Sequence, residues 1–361
     1  VNFSEVPRAM ARAYVGRANT ARMAEGDDHR QGRLFTDDDG GFDAERAREE
    51  SLPIEDGEVV DVGSLADHQT YVEGRGIYDE RNRVNDLTGR EWKYATKSVI
   101  AEAYPPDFHH ELRSEHGGQK PPRLCAELIG RFSKAGDTVL DPFAGVGGTL
   151  LGASLCEHEG TGLREAIGFE RNARWVNVYE QVIALENAER REREQPPLAA
   201  AELRHGDCLE LIEEVPDGSI DLLLTDVPYW NMDELEQTRN ERATRESSLD
   251  PFREERAEPA EEPGEESKAD WLAEMAGTFR RFADALVPGS YAVVFIGDMY
   301  RGSSYRFLAA ELADAIADAA PLTPKANLIW YDPSKDLHVY GYPFAFVPSM
   351  VHQNVLVFRR E

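Results

Sequence analysis

The sequence predicts a doubly wound α/β fold, in which helices cover both faces of an open, mostly parallel, Rossmann-like sheet. Three features point to it. Thr138-Val139-Leu140-Asp141 is a short β-branched and apolar run ending in an acid, and it leads through Pro142-Phe143-Ala144-Gly145-Val146-Gly147-Gly148 into an apolar pattern starting at Leu150. A second apolar run, Ile220–Thr225, ends the same way at Asp226 and continues Val227-Pro228-Tyr229-Trp230. Helical and strand-like patterns then alternate to the end of the chain. Strand, tight turn and helix make the opening βα unit of such a sheet, where ligands sit at the carboxyl ends of the strands. Glycines at 145, 147 and 148 let the backbone turn tightly and approach a ligand closely, a property that nucleotide binders of many kinds share.

The 361 residues, 41% hydrophobic, suffice for one large α/β core with extensions. No apolar run approaches the ~20 residues that span a bilayer, and the N-terminus lacks the apolar segment of a signal peptide. Cys125, Cys156 and Cys208 have no metal-binding spacing, and no metal site is expected. The expectation is a soluble cytoplasmic protein without membrane association. Its charge is unusual for a nucleic-acid enzyme, because 68 Asp and Glu against 40 Lys and Arg leave a formal net charge of −28. Taken alone, that balance argues against DNA. The other reading is adaptation to a cytosol at molar salt, where a Debye length of about 3 Å hides net charge from a distant phosphate.

Together the two motif stretches resemble the amino-methyltransferases that use S-adenosylmethionine to methylate exocyclic amines of nucleic-acid bases. Their first motif, Asp-Pro-Phe-x-Gly-x-Gly, is matched at 141–147. Their catalytic motif, Asp/Asn/Ser-Pro-Pro-aromatic, is matched at 226–229 except that Val227 replaces the first Pro. The resemblance covers residues from about 117 to the C-terminus. It implies a seven-stranded methyltransferase sheet with one antiparallel strand, S-adenosyl-L-methionine as cofactor, and DNA, or alternatively RNA, as partner.

Residues 1–70 read as a polar N-terminal extension, with a helix possible at 5–22 and a charged run at 25–61 that a solvated tail explains. Residues 71–115 form an aromatic and basic accessory segment. Tyr71, Tyr78, Trp92, Tyr94 and Tyr104 interleave there with Arg75, Arg81, Arg83, Arg90, Lys93 and Lys97. Such a mixture can stack bases and hold phosphates, or simply pack the segment onto the main domain. The methyltransferase domain is expected over 116–361.

Lys120-Pro121-Pro122 precedes a helical pattern at Leu124, Leu128, Ile129 and Phe132. By resemblance, Lys120 and Pro121 cover the methionine end of the cofactor; by local chemistry, the prolines start a helix. The resemblance also gives Asp141, Pro142, Phe143, Gly145 and Gly147 to the cofactor. Ala166–Glu170 reads as the second strand, and Glu170 at its end is expected to accept from ribose hydroxyls. A helix follows at 175–188. Asp207, after Arg204-His205-Gly206, resembles the residue that binds the adenine amine, and it is equally a good N-cap.

An exocyclic amine is a poor nucleophile because its lone pair is delocalised into the ring. A carboxylate and a carbonyl that accept its two N–H bonds favour tetrahedral geometry and stabilise the charge that develops. By resemblance Asp226 is that carboxylate, the Val227 carbonyl is the second acceptor and Tyr229 stacks on the base, with Pro228 counted beside them in the catalytic motif. A duplex hides the amine, so the base must be flipped out, with stacking on Tyr229 or Trp230 offsetting the cost.

Residues 236–270 read as a charged insert, able to close over the flipped base or simply solvated. A helix is expected over 271–286, stopped by Pro288-Gly289, then strands at 291–296, 326–331 and 355–359 and a helix at 307–319. The aromatic loop 337–348, with Tyr340, Tyr342 and Phe344, could wall the base pocket or pack on the sheet edge. Little chain is left for a separate recognition domain, so specificity falls to 71–115, the insert, the aromatic loop or a partner, either a second copy or a specificity subunit. Asp at 226 leans toward adenine N6 over cytosine N4. The competing readings are an RNA (tRNA) base-amine methyltransferase and a catalytically silent nucleic-acid-binding subunit.

Overall fold

The computed structural model describes residues 62–158, 160–199, 201–230, 265–301, 304–339 and 342–361. The chain divides into Val1–Pro53 and Ile54–Glu361, and every described residue lies in the second unit. The expected helix at 5–22, the run at 25–61, Tyr340 and most of the 236–270 insert fall outside the described residues.

Strands β1 (Gln69–Val72) and β2 (Gly76–Asp79) form a small antiparallel hairpin. It is followed by helix α1 (Gly89–Ala95), strand β3 (Val99–Ala101) and the short helix α2 (His110–Arg113). Helix α1 starts at a reciprocal cap, the Glu91 amide donating to Thr88 Oγ1 at 3.3 Å and the Thr88 amide to Glu91 Oε2 at 2.8 Å. Trp92 and Tyr94 project from it into solvent. Helix α3 (Pro122–Phe132), β4 (Thr138–Asp141), α4 (Gly148–His158), β5 (Glu165–Glu170), α5 (Ala173–Glu192), β6 (Glu202–His205), the one-turn α6 (Cys208–Leu211) and β7 (Ile220–Asp226) come next. Then follow α7 (Glu265–Ala285), β8 (Leu286–Ile296), the hairpin β9 (Met299–Arg301) and β10 (Ser304–Arg306), α8 (Leu308–Ala319), β11 (Leu322–Tyr331) and β12 (His352–Arg360).

Eight strands make the central sheet in the order β3-β11-β12-β8-β7-β4-β5-β6. Only β12 runs against its neighbours, β8 and β11. The expected seven-stranded sheet with one antiparallel member is present, and β3 extends it by one strand, parallel to β11. Because β5 and β6 are laid down on one side of β4 and β7 and β8 on the other, the chain reverses direction of growth between β4 and β7. A crevice opens at such a reversal, at the carboxyl ends of the strands.

Side chains alternate between two buried layers, as the period of two requires. Val139, Leu222, Leu224, Val293 and Phe295 pack with α3, α4 and α5 on one face. Leu140, Leu223, Ala292, Val294 and Ile296 pack with α7 and α8 on the other. Strand β8 begins at Leu286, earlier than its expected start at Tyr291. Pro288 and Gly289 lie within it as an irregularity: pairing passes from Ile220 with Leu286 to Leu222 with Tyr291, and Gly289 has φ +89°.

A candidate active site at the ends of neighbouring strands

Four acids stand at or just past the carboxyl ends of adjacent strands: Asp226 ends β7, Asp141 ends β4, Glu170 ends β5 and Asp207 follows β6. Their placement follows from the fold, since each apolar strand ends where the chain leaves the core. Each carboxylate has a different environment.

Asp141 is buried at the head of the glycine turn. Its Oδ1 accepts from Thr225 Oγ1 at 2.6 Å and from the Phe143 amide at 3.1 Å. Burial still dominates those bonds, and with the like charge of Asp226 nearby it pushes the Asp141 carboxyl up to about 6. Pro142 is buried, and the Phe143 ring packs edge-on against Phe282 at 5.9 Å. The turn then needs its glycines for space as well as conformation. A Cβ on Gly147, at φ +76°, would fall 2.2 Å from the Tyr179 ring, and one on Gly148 would fall 2.7 Å from the Lys120 carbonyl oxygen. Gly145, at φ +52°, leaves room for the His116 ring at 3.1 Å from where its Cβ would stand.

Glu170 holds the turn from the next strand. One oxygen accepts from the Gly145 amide at 3.0 Å and the other from the Asn172 amide at 2.7 Å. Burial raises this carboxyl despite both bonds. Asp207 caps α6, accepting from the Leu209 amide at 2.8 Å. Pro121 is the first non-helical residue before α3, and Pro122 takes the first helical position.

His116 was visible in the sequence only as part of a polar stretch before Lys120. In the structure its ring lies edge-on to Trp175 at 5.0 Å, over the glycine turn, with Nδ1 enclosed and unpartnered. Burial, helped by Lys120, lowers its pKa to about 4, so the ring is neutral and able to serve a ligand. Together the turn, its missing Cβ atoms, the enclosed His116 nitrogen and the acids of β5 and β6 fit a nucleoside cofactor laid across these strand ends.

Asp226 forms an ion pair with Lys120 through Oδ2, while Oδ1 is enclosed without a hydrogen-bond partner. Burial raises the Asp226 carboxyl and Lys120 opposes the rise. The turn after it is fixed from two sides. Trp271 Nε1 on α7 donates to the Pro228 carbonyl at 3.1 Å, and the Tyr229 hydroxyl accepts from the Gly297 amide at 3.1 Å and from Gln353 Nε2 on β12 at 2.8 Å. Val227 is buried, its amide donating to the Phe295 carbonyl at 3.4 Å.

The structure thus brings together Lys120, Asp141, the glycine turn, Glu170 and Asp226 with Tyr229, but it does not bring Trp230 to the crevice. Trp230 is 2% exposed, packs among the α7 and α8 layer and donates from Nε1 to Ser267 Oγ at 3.1 Å. Tyr342 and Phe344 are 80% and 95% exposed, and the loop that carries them joins β11 to β12. A cavity of about 660 Å³ lies apart from these groups, lined in part by Arg75, Arg90, Tyr94, Tyr104, Arg123 and Arg131. Arg75, Arg123 and Arg131 each pair with a carboxylate there, Glu91, Asp107 and Glu127. Among the described residues no cluster of His, Cys, Asp and Glu could hold a metal, and no helix is long and apolar enough to cross a membrane.

Among solved structures, the chain is similar to TrmN from Thermus thermophilus, at 12% identity and a TM-score of 0.41, over 71% of this chain and 53% of that one. It is similar to a candidate DNA modification methylase, also from Thermus thermophilus and complexed with S-adenosyl-L-methionine, at 19% identity and a TM-score of 0.28, over 43% of this chain and 51% of that one. A SAM-dependent methyltransferase from Methanosarcina mazei is similar at 12% identity and a TM-score of 0.36, over 64% of this chain and 96% of that one. The chain thus spans about half the length of the first two. None of the curated proteins compared matches it. Residues 69–181, which run from β1 through the glycine turn into α5, match the family model described as DNA methylase.

Proposed function

We propose that the chain transfers a methyl group from S-adenosylmethionine to an exocyclic base amine in DNA, adenine N6 in preference to cytosine N4. One observation carries the reading: the glycine turn after β4 and an enclosed carboxylate with an unused oxygen, Asp226 Oδ1, stand at the ends of adjacent strands. The family match over residues 69–181 supports it.

Pro121, Asp141, Pro142, Phe143, Gly145, Gly147, Glu170 and Asp207 would hold the cofactor, whose sulfonium supplies an electrophilic methyl group. Asp226 Oδ1 accepts one N–H of the amine and the Val227 carbonyl the other, which localises the nitrogen lone pair and stabilises the charge it acquires. Tyr229, its hydroxyl fixed by Gly297 and Gln353, offers its ring to the flipped base. Tyr342 and Phe344 would then close on the base or its neighbours. The 71–115 segment and the 236–270 insert are the chain's own means of reading flanking sequence. The acid excess is read as adaptation to molar salt, so the DNA contact relies on stacking and short hydrogen bonds more than on phosphate charge.

The test is to incubate the protein in molar potassium chloride with tritiated S-adenosylmethionine and separate pools of duplex DNA and tRNA, then digest to nucleosides. Label on N6-methyladenine from DNA, absent with Asp226→Ala, is the expected result. Label on cytosine would correct the base, and label confined to tRNA would overturn the DNA reading. Bound cofactor with no label anywhere would overturn catalysis by this chain alone.

A further inference from the structure

Lys120 faces Asp226, and its contacts describe a job different from the one its neighbours in sequence suggest. Its backbone is fixed first. The Lys120 carbonyl accepts from Arg113 Nη2 at 2.9 Å and lies against Gly148, where no Cβ could fit. The side chain then crosses to the end of β7. Its ammonium is held by Asp226 Oδ2, by the Gly118 carbonyl at 3.3 Å and by the face of Phe295 at 5.3 Å. Two of these three contacts, Asp226 and Phe295, come from the ends of β7 and β8.

We propose that Lys120 is the counter-ion that orients Asp226 for methyl transfer, a positioning residue of the reaction and not a wall of the cofactor site. The inference rests on the reading of Asp226 as the acceptor for the amine. An enclosed carboxylate without a counter-ion takes up a proton and ceases to accept. Lys120 prevents that, and by taking Oδ2 it leaves Oδ1 as the acceptor. The other ionisable groups nearby cannot substitute. Asp141 carries the same charge as Asp226, and His116 is neutral. Arg113 turns to the Lys120 carbonyl, and Lys335, whose pKa burial lowers with a smaller push from the Lys120 charge, stands over the Trp330 ring at 5.9 Å.

The experiment is Lys120→Met in the full chain, with Lys120→Arg, Asp226→Asn and the Lys120→Met/Asp226→Asn double variant. Calorimetric binding of S-adenosylhomocysteine should change less than about twofold in Lys120→Met, while kcat at pH 7 falls about tenfold or more. The acid limb of the kcat profile should move up by about one to three pH units, so that raising the pH restores turnover, and Lys120→Arg should keep the limb near its wild-type place. A rise of about tenfold in the Kd for S-adenosylhomocysteine with kcat unchanged would overturn the proposal in favour of a cofactor wall. Should the wild type methylate no nucleic acid, the proposed function fails, and thermal denaturation still decides the pairing. Asp226→Asn should restore the Tm lost in Lys120→Met; additive losses would overturn the ion pair.

Discussion

Asp141 is a buried carboxyl whose pKa of about 6 makes it a cost to the fold at neutral pH, and the sign can be worked out directly. In the unfolded chain it titrates near 4. Between those values the folded protein binds the proton and the unfolded chain does not, so stability is fully present below about pH 4 and is lost as pH rises through about 6. At about 1.4 kcal/mol per pH unit, the difference is about 3 kcal/mol at pH 8. Asp141→Asn keeps an oxygen for Thr225 and for the Phe143 amide and removes the charge. The stability of the variant relative to wild type should therefore improve by about 2 kcal/mol between pH 4.5 and pH 8. Urea denaturation followed by tryptophan fluorescence, in molar potassium chloride at both pH values, measures it. A gap between variant and wild type that does not change with pH would refute the reasoning. Stability gained together with weakened S-adenosylhomocysteine binding would show why a destabilising acid is retained there.

Other expectations follow from the same geometry. Gly147→Ala combines a left-handed φ with a Cβ 2.2 Å from the Tyr179 ring, and should lose about 2–4 kcal/mol by denaturation, part of it recovered when Tyr179→Leu makes room. Glu170→Gln leaves the Gly145 or Asn172 amide without its acceptor; a loss of about 1–3 kcal/mol, read as a lowered Tm, is expected. Tyr342→Ala with Phe344→Ala should leave the Tm within about 2 °C of wild type, because both rings are exposed, while transfer to DNA drops; a large fall in Tm would show the loop to be structural.

The sequence was most legible where a local rule acts. The β4 turn needs glycine at positive φ, β7 ends where an acid meets Pro and aromatics, and α7 shows its apolar stripe, so these elements lie close to where they are expected. It was least legible where a partner distant in the chain decides. Strand β3 has one buried residue, Ile100, and exists because β11 pairs with it more than 200 residues later. Pro288-Gly289 has the composition of a break, yet the irregular pairing of β7 and β8 absorbs it. The same limit applies in the site. Glu170 reads as an acceptor at a strand end, and no local rule shows that it also takes the Gly145 and Asn172 amides. Trp230 follows Asp226–Tyr229 and looks like a stacking ring, yet burial against α7 decides its place. Gln353 on the last strand reaches Tyr229 across 124 positions, a contact that no spacing rule announces. No local signal marks the hairpin at 299–306, although Asp298 beside it accepts from Tyr305 and from the Ala309 amide.

The antiparallel strand bears on the order in which the molecule can assemble. In the central sheet, β3 and β11 reach the other strands only through β12, the last of the eight to leave the ribosome. Until it arrives, β8 and β11 each present an open edge, with Val293, Phe295, Leu328 and Trp330 on one face waiting for cover. Tyr229 likewise waits for Gln353. Synthesis at about 5–20 residues per second therefore leaves a half-sheet exposed for several seconds before closure, a period in which a holdase has most to protect. Moving residues 352–361 to a position ahead of β8 by circular permutation would close those edges as they form, and should raise the yield of folded protein in cell-free translation without added chaperones.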